Sequence, residues 1–335
     1  LSALSQHYLG AFGQWAANVA MPFLLYALVA AYLVGGGHIL TLFLTQLGWQ
    51  EPPAYVGIVG FAALGGGVVV VGTHSVDMIN RLLFATKMLF LLMMLALLLP
   101  FVRGELLLTS PVTTAFVLAA IPIVFTSFGF HGSIPSIVSY LQGDVAKLRR
   151  VFVLGSGIPL LVYLLWQLAT LGVVESDTFL HVLAQASGIN GLLSALKTVA
   201  PKVELAVRAF AGLALATSFL GVSLGLFDFL AQLLRHGNQW QGRLRTGVVT
   251  FLPPLGFALY FPQGFVFALG FAAVALAVLS LLLPALLAWR VRQEHPQQAY
   301  QVWGGGGLLV LVLCAGVGII AIQLAVVAGA LPDVG

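Results

Sequence analysis

Charged residues are scarce in this sequence of 335 residues, since Lys, Arg, Asp and Glu together make up only 7% of it. A water-soluble domain carries about 25% charged residues, because its surface has to be solvated. Hydrophobic residues make up 60% of the chain, which leaves too few polar residues to coat a surface. The composition excludes a soluble enzyme, a nucleic-acid-binding protein and a disordered chain, and it predicts an integral membrane protein.

Cysteine is almost absent as well, because Cys314 is the only one. A single cysteine forms neither an internal disulfide nor a cysteine-based metal cluster. The seven histidines show no HExxH or other metal-ligand spacing, and the sequence has no glycine-rich phosphate-binding loop. We therefore predict no metal, no cofactor and no enzyme activity.

Apolar runs long enough to cross a bilayer recur along the whole chain. A hydrocarbon core about 30 Å thick is crossed by roughly 20 helical residues. The runs do not alternate apolar and polar residues as the strands of a membrane barrel do, so we predict a single all-α transmembrane domain. The nine predicted spans cover residues 15–36, 54–73, 82–102, 116–142, 151–174, 205–234, 246–262, 264–289 and 307–330.

The cationic residues predict the orientation of these spans. Short cytoplasmic loops hold the excess of Lys and Arg in membrane proteins. Of the 14 Lys and Arg residues, ten fall on one side of the predicted spans and four on the other. This pattern predicts that the first span starts inside the cell and that the C-terminus lies outside.

The fourth span, AIPIVFTSFGFHGSIPSIVSYL, holds an unusual density of residues that interrupt helices. Between Pro122 and Pro135 lie two glycines and several hydroxyl side chains. Non-helical backbone is tolerated at membrane depth only where it is buried in protein or lines a water-filled cavity. We predict two half-helices separated by an unwound segment over 127–133, with Ser133 capping the second half. The alternative is an ordinary kink in a packed helix.

The predicted break in the fourth span suits a zwitterionic ligand. Carbonyl groups released around Ser127 and Phe128 would face an ammonium group, and the positive end of the second half-helix would face a carboxylate. Discontinuous helices of this kind are typical of transporters. For His131 we consider three interpretations: a hydrogen-bonded structural residue, a substrate contact and a proton relay.

Lys87 is placed inside the membrane by an argument from length. A third span that began after Lys87 would keep only residues 88–102, too few to cross a bilayer. The side chain either reaches back to the inner membrane surface or faces the helix bundle as a buried amine that binds and releases a proton during transport.

Two further residues are candidates for the wall of a binding cavity. Ser218 lies near the middle of the sixth span, whose glycines and serines form a small-residue face. Such a face permits close packing of helices, and packing alone is the alternative explanation for it. Tyr26 lies near the centre of the first span.

Several long blocks of this sequence resemble the bacterial aromatic amino acid permeases, and among them the tyrosine-specific members. The likeness extends over essentially the whole chain. The blocks are HYLGAFGQW, IPIVFTSFGFHGSIPSIVSYL, LRRVFVLGSGIPLLVYLLWQLATLG, LALATSFLGVSLGLFDFLAQLL, TGVVTFLPPLGFALYFPQGF and ALPDVG.

The resemblance implies a proton-driven importer of tyrosine in the bacterial inner membrane, with the leucine-transporter-type fold of the amino acid–polyamine–cation superfamily. That fold has two inverted five-helix repeats and an extra helix. Residues 1–106 would be the remainder of the first repeat, 107–289 the second repeat and 290–335 the extra helix. The substrate-binding residues implied in the broken helix are Ser127, Phe128, Gly129, Phe130, His131 and Gly132.

The resemblance also implies that Lys87 takes the place of a sodium ion in proton coupling, that Ser218 borders the site, and that the partners are an aromatic amino acid, protons and lipid. Nine of the family's eleven helices are present, and the first two have no counterpart. We therefore expect residues 1–335 alone not to transport. The alternative functions are a tryptophan or general aromatic amino acid permease and, from other classes, a membrane-embedded hydrolase or a channel.

Overall fold

In the part of the chain that the computed structural model describes, all regular secondary structure is helical. That part comprises residues 2–108, 113–175, 177, 181, 203–235, 237, 239–262, 264–295 and 302–332. Within it, eight helical stretches are long and apolar enough to cross a membrane. The prediction of an all-α membrane domain is confirmed at this level.

Twelve α-helices are present in the described residues, together with two 3₁₀ turns and one π-helical turn. The 3₁₀ turns are Leu99–Phe101 and His131–Ser133, and the π turn Val278–Leu282 joins α10 to α11. The helices are α1 (Ser2–Gln46), α2 (Ala54–Val71), α3 (Thr73–Leu98), α4 (Gly104–Leu107), α5 (Thr114–Thr126), α6 (Ile134–Tyr140), α7 (Val145–Leu171), α8 (Val203–Leu233), α9 (Trp240–Tyr260), α10 (Phe265–Ala277), α11 (Leu283–Glu294) and α12 (Gly305–Val327).

The predicted span 246–262 is the one that does not appear among the eight apolar stretches. It lies within α9, a helix of 21 residues and therefore about 31 Å long at 1.5 Å per residue. Arg243, Arg245 and two threonines make this helix more polar than the others. The helix is long enough to cross a bilayer, as predicted, but it is less apolar than the eight other stretches.

Residue contacts divide the chain into two compact units. The first unit comprises Leu1–Ala27, Thr114–Pro159 and Leu269–Val334, and the second comprises Leu28–Thr113 and Leu160–Ala268. In the first unit, α12 packs against α5, α11 and the π turn. The core of this packing is formed by Ala273, Ala277 and Ile319, with Phe125 against it.

The second unit is built around α8, which packs most extensively against α3 and also against α2 and α9. Phenylalanine rings fill places that glycines leave open. Phe219 lies against Gly65, and Phe251 lies against Gly66. The ring centroids of Phe61 and Phe219 are 5.1 Å apart, and those of Phe219 and Phe251 are 5.9 Å apart. Because glycine has no Cβ atom, there is room for a large aromatic ring at each of these positions, and the helices pack closely.

The end of α2 is held by an arginine from another helix of the second unit. Arg243 Nε donates to the Val70 carbonyl at 2.7 Å, and Arg243 Nη2 donates to the Val69 carbonyl at 3.0 Å. The guanidinium also lies over the Phe227 ring, 4.9 Å from its centroid. Carbonyls in the last turn of a helix lack intrahelical donors, so this cation satisfies them.

The connection before α7 shows an acidic cap. The backbone N–H of Lys147 donates to Asp144 Oδ1 at 3.1 Å, and Lys147 Nζ lies 3.1 Å from Asp144 Oδ2. Aspartate is among the preferred residues at a helix N-terminus because it accepts from these N–H groups. The backbone hydrogen bond, followed by the side-chain contact, holds the pKa of Asp144 below its usual value.

Candidate functional site

The fourth predicted span is interrupted in its middle. Helix α5 ends at Thr126, residues 127–130 are not helical, and a 3₁₀ turn over His131–Ser133 leads into α6. The prediction of two half-helices is therefore confirmed, and a continuous helix with a kink is not what the structure shows. Helix α5 ends four residues after Pro122, which lies inside it.

The residues after α5 close the helix with tight turns. The Ser127 N–H donates to the Val124 carbonyl, and the Gly129 N–H donates to the Thr126 carbonyl, both at 3.0 Å. The Phe130 N–H donates to the Phe128 carbonyl at 2.9 Å. The Phe128 carbonyl is therefore engaged within the segment, which corrects the expectation that it is released for a ligand.

Ser133 occupies the position before α6 but does not cap it with its side chain. Its φ of −83° and ψ of −15° are helical, because it belongs to the 3₁₀ turn, and no side-chain hydrogen bond caps the helix. A capping side chain needs an extended backbone to reach the first N–H groups. The prediction of a Ser133 cap is wrong for this reason.

His131 is half-buried, and within the described residues neither of its ring nitrogens has a hydrogen-bond partner, although both atoms are buried. Polar atoms that are buried and unpaired cost about 1–3 kcal/mol each. No hydrogen-bond partner within the described residues supports the interpretation of His131 as a hydrogen-bonded structural residue. The ring before it, Phe130, stacks on Phe152 with centroids 6.4 Å apart.

Two glycines of the segment have different surroundings. A methyl group built on Gly129 would lie 3.5 Å from Leu276 Cδ2 and 3.0 Å from the Thr126 carbonyl oxygen. A methyl group on Gly132 would have no atom of the described residues within 4 Å. The segment is therefore backed by α10 at Gly129 and open at Gly132. Tyr26, the other predicted site residue of the first unit, lies half-buried in α1.

Lys87 and Ser218 lie in the second unit. The Lys87 amine is half-buried and donates to Thr217 Oγ1 at 3.1 Å, and it lies 5.0 Å from the centroid of the Phe84 ring. The structure shows the Lys87 amine directed towards α8, another helix of the bundle, as in the second of the two interpretations of this residue. The residue next to its partner, Ser218, shares a side-chain hydrogen bond with Tyr32.

Sequence reasoning predicted neither the contact of Lys87 with Thr217 nor that of Ser218 with Tyr32. Thr217 lies 130 positions from Lys87 in the chain, and its hydroxyl also donates to the Ala214 carbonyl at 3.0 Å. Tyr32 lies six residues after Tyr26, in the second unit. A scan for hydroxyl residues adjacent to Ser218 would have found Thr217.

Within the described residues, eight apolar helical stretches indicate a multi-pass helical membrane protein, and the break in one of them is typical of transporters. The model of the tryptophan/tyrosine permease family matches residues 1–323. The chain belongs to this family, whose members are transport proteins rather than enzymes.

Relatives of this chain carry two kinds of name. Tyrosine-specific transport system 1 of Haemophilus influenzae is 41% identical over all of this chain and 83% of its own length. The tryptophan-specific transport protein of Pseudomonas aeruginosa is 36% identical over 90% of this chain and 73% of its own length. The low affinity tryptophan permease of Escherichia coli K12 is 30% identical over 95% and 79%. No solved structure matches the chain.

Proposed function

We propose that the protein is a proton-coupled symporter that imports tyrosine across the bacterial inner membrane. The observation that carries this proposal is the interruption of the fourth span at residues 127–130, next to an imidazole whose buried nitrogens have no partner within the described residues. Tyrosine is chosen because the relatives with the higher identities are named for it. A tryptophan or general aromatic amino acid permease is the alternative, favoured by the tryptophan-specific relatives.

The proposed fold is the leucine-transporter type, with two inverted five-helix repeats and an extra helix. Residues 1–106 would be the remainder of the first repeat, 107–289 the second repeat and 290–335 the extra helix. The position of the break supports this assignment, because it falls in the first helix of the proposed second repeat. The charge distribution supports a periplasmic C-terminus.

In the proposed site, the unwound segment binds the amino acid. A neutral imidazole donates with one nitrogen and accepts with the other, so His131 has the groups to contact both a carboxylate and an ammonium. The open surroundings of Gly132 leave its backbone accessible. The rings of Phe128 and Phe130 offer apolar faces to an aromatic side chain. The further proposed contacts are Ser127, Gly129, Tyr26 and Ser218.

The proposed coupling group is Lys87. Burial disfavours the charged form of an amine, whereas a hydrogen-bond acceptor beside it favours that form. A lysine inside the bundle therefore binds or releases a proton when a conformational change alters its hydration and its partner. The contact from its Nζ to Thr217 Oγ1, at 3.1 Å, attaches this charge to α8. Loading and release of a proton there would then bias the position of that helix.

Uptake of labelled tyrosine tests the proposal. The permease that carries this sequence is expressed at its natural length in cells that lack other tyrosine importers. We expect saturable uptake that a protonophore abolishes and that unlabelled tyrosine inhibits at lower concentration than tryptophan or phenylalanine.

Three other outcomes would each change one part of the proposal. Stronger inhibition by tryptophan would replace tyrosine with the alternative substrate. Uptake that survives the protonophore would remove proton coupling, and flux that does not saturate would indicate a channel.

A further inference from the structure

A π-helical turn interrupts the long helix that packs behind the unwound segment. Residues Val278–Leu282 form this turn between α10 and α11. A π turn contains one residue more than an α-helical turn, is rare, and occurs frequently at functional sites. The sequence VLSLL contains neither proline nor glycine, but Pro284 follows it in the first turn of α11 and has no N–H to donate to the Ser280 carbonyl.

Leu276, two residues before the π turn, lies against the candidate site. Leu276 is 2% exposed, and its Cδ2 atom lies 3.5 Å from the position of a methyl group on Gly129. The same side of α10 contributes Ala273 and Ala277 to the core against which Phe125, the penultimate residue of α5, is packed. The unwound segment and the end of α5 therefore rest on this part of α10.

Two contacts fix the π turn itself. The Ser280 hydroxyl donates to the Leu276 carbonyl at 2.7 Å, which ties the turn to the residue behind Gly129. On α12, Gly316 lets the turn approach closely, since a methyl group there would lie 2.7 Å from Leu282 Cδ2 and 3.3 Å from Leu281 Cβ. Any side chain at position 316 would have to displace the turn or its leucine.

We propose that Leu276 is a positioning residue for the unwound segment, and that the π turn seated on Gly316 holds Leu276 in place. Leu276 does not contact the substrate in this account. It sets the position of the backbone around Gly129, and the seat on α12 sets the position of Leu276. The inference rests on the proposed function only in treating this segment as the substrate site.

A pair of glycines on α12 gives a matched test. Gly316→Val adds a side chain beneath the π turn. Gly318→Val adds the same side chain where, among the residues that the structure describes, no atom would lie within 4 Å of a methyl group. Both changes place valine in the same helix, so they cost the same helix propensity. We expect Gly316→Val to raise the KM for tyrosine about tenfold by shifting the segment, and Gly318→Val to leave it within about twofold.

A second pair tests Leu276 directly. Leu276→Ala removes the side chain that lies behind Gly129, and Leu283→Ala removes a leucine of similar burial, 4% exposed, at the start of α11. We expect the KM to rise only for Leu276→Ala when both variants are present in the membrane in equal amount. If either alanine variant does not accumulate, Leu276→Val and Leu283→Val make the same comparison with a smaller deletion.

Hydrogen exchange on the purified permease separates this inference from the proposed function. The Ser127, Phe128 and Gly129 amides are bonded to carbonyls three residues earlier. We expect their exchange to become faster in Gly316→Val and Leu276→Ala and to stay unchanged in the two controls.

If no saturable tyrosine uptake is found in the unmodified permease, the proposed function fails and exchange alone decides the inference. Unchanged exchange and KM in both test variants, or equal changes in the controls, would overturn it.

Discussion

Lys87 is the residue whose placement depends most on membrane thickness. A span that excluded it would be too short, and in the structure its Nζ lies 3.1 Å from a hydroxyl of α8. An exposed lysine makes a useful contrast. Lys147 Nζ forms an ion pair with Asp144 at 3.1 Å, with 66% of the lysine side chain exposed, where such pairs contribute little.

Replacing Lys87 with glutamine should uncouple the permease. Glutamine keeps most of the length and can still contact Thr217, but its amide neither binds nor releases a proton at any working pH. We expect Lys87→Gln to lower proton-driven accumulation of tyrosine at least about tenfold, while exchange of internal for external tyrosine continues. Lys147→Gln is the control and should behave as the unmodified protein. Accumulation by Lys87→Gln at the normal level would exclude Lys87 as the coupling group.

How much the sequence predicts at this scale differs between residues. The depth of Lys87 follows from counting apolar residues, since span length is a one-dimensional property. Its partner Thr217 does not follow, because the two residues meet only once α3 and α8 pack together. The absence of a hydrogen-bond partner for His131 within the described residues is likewise a property of the folded surroundings.

At the scale of helices, the break in the fourth span was predictable and its details were not. Proline and glycine remove hydrogen bonds and rigidity, so their density indicates the interruption. The way the chain closes the break depends on turns only a few residues long. The 3₁₀ turn gave Ser133 a helical backbone and the Phe128 carbonyl a local partner, which no composition rule anticipates.

Glycine and phenylalanine fit together in the second unit, and this packing is open to a matched test. A methyl group on Gly65 would overlap the Phe219 ring, whereas one on Gly67 would have no atom within 4 Å. Overpacking of a close-packed core costs about 1–3 kcal/mol. We expect Gly65→Ala to lower the melting temperature of the purified protein and Gly67→Ala to leave it unchanged or raise it. Equal melting temperatures would show that the ring moves freely.

On the scale of the whole molecule, composition and helix length carried the membrane assignment. Eight apolar helices agree with eight of the nine predicted spans, and α9 holds the ninth. Large hydrophobic side chains remain exposed on many of these helices, as expected where lipid is the solvent. Pro284 indicates a disturbed helix near Ser280, because it has no N–H for the carbonyl four residues earlier, but it does not specify a π turn at Val278–Leu282.

If the broken helix holds the substrate site as proposed, two substitutions there should abolish uptake without removing the protein from the membrane. Gly129→Leu drives a side chain towards Leu276, whose Cδ2 lies 3.5 Å from a methyl group at that position. His131→Ala removes the imidazole. Suitable controls are Gly155→Leu, where a methyl group would have no atom within 4 Å, and His74→Ala at an exposed position.

Uptake of labelled tyrosine by these four variants, normalised to the amount of each in the membrane, is the most direct measurement. The account predicts that Gly129→Leu and His131→Ala are present at normal levels and lose at least about 99% of uptake, whereas the two controls retain it. Normal KM and Vmax in either Gly129→Leu or His131→Ala would contradict it and move the substrate site away from the broken helix.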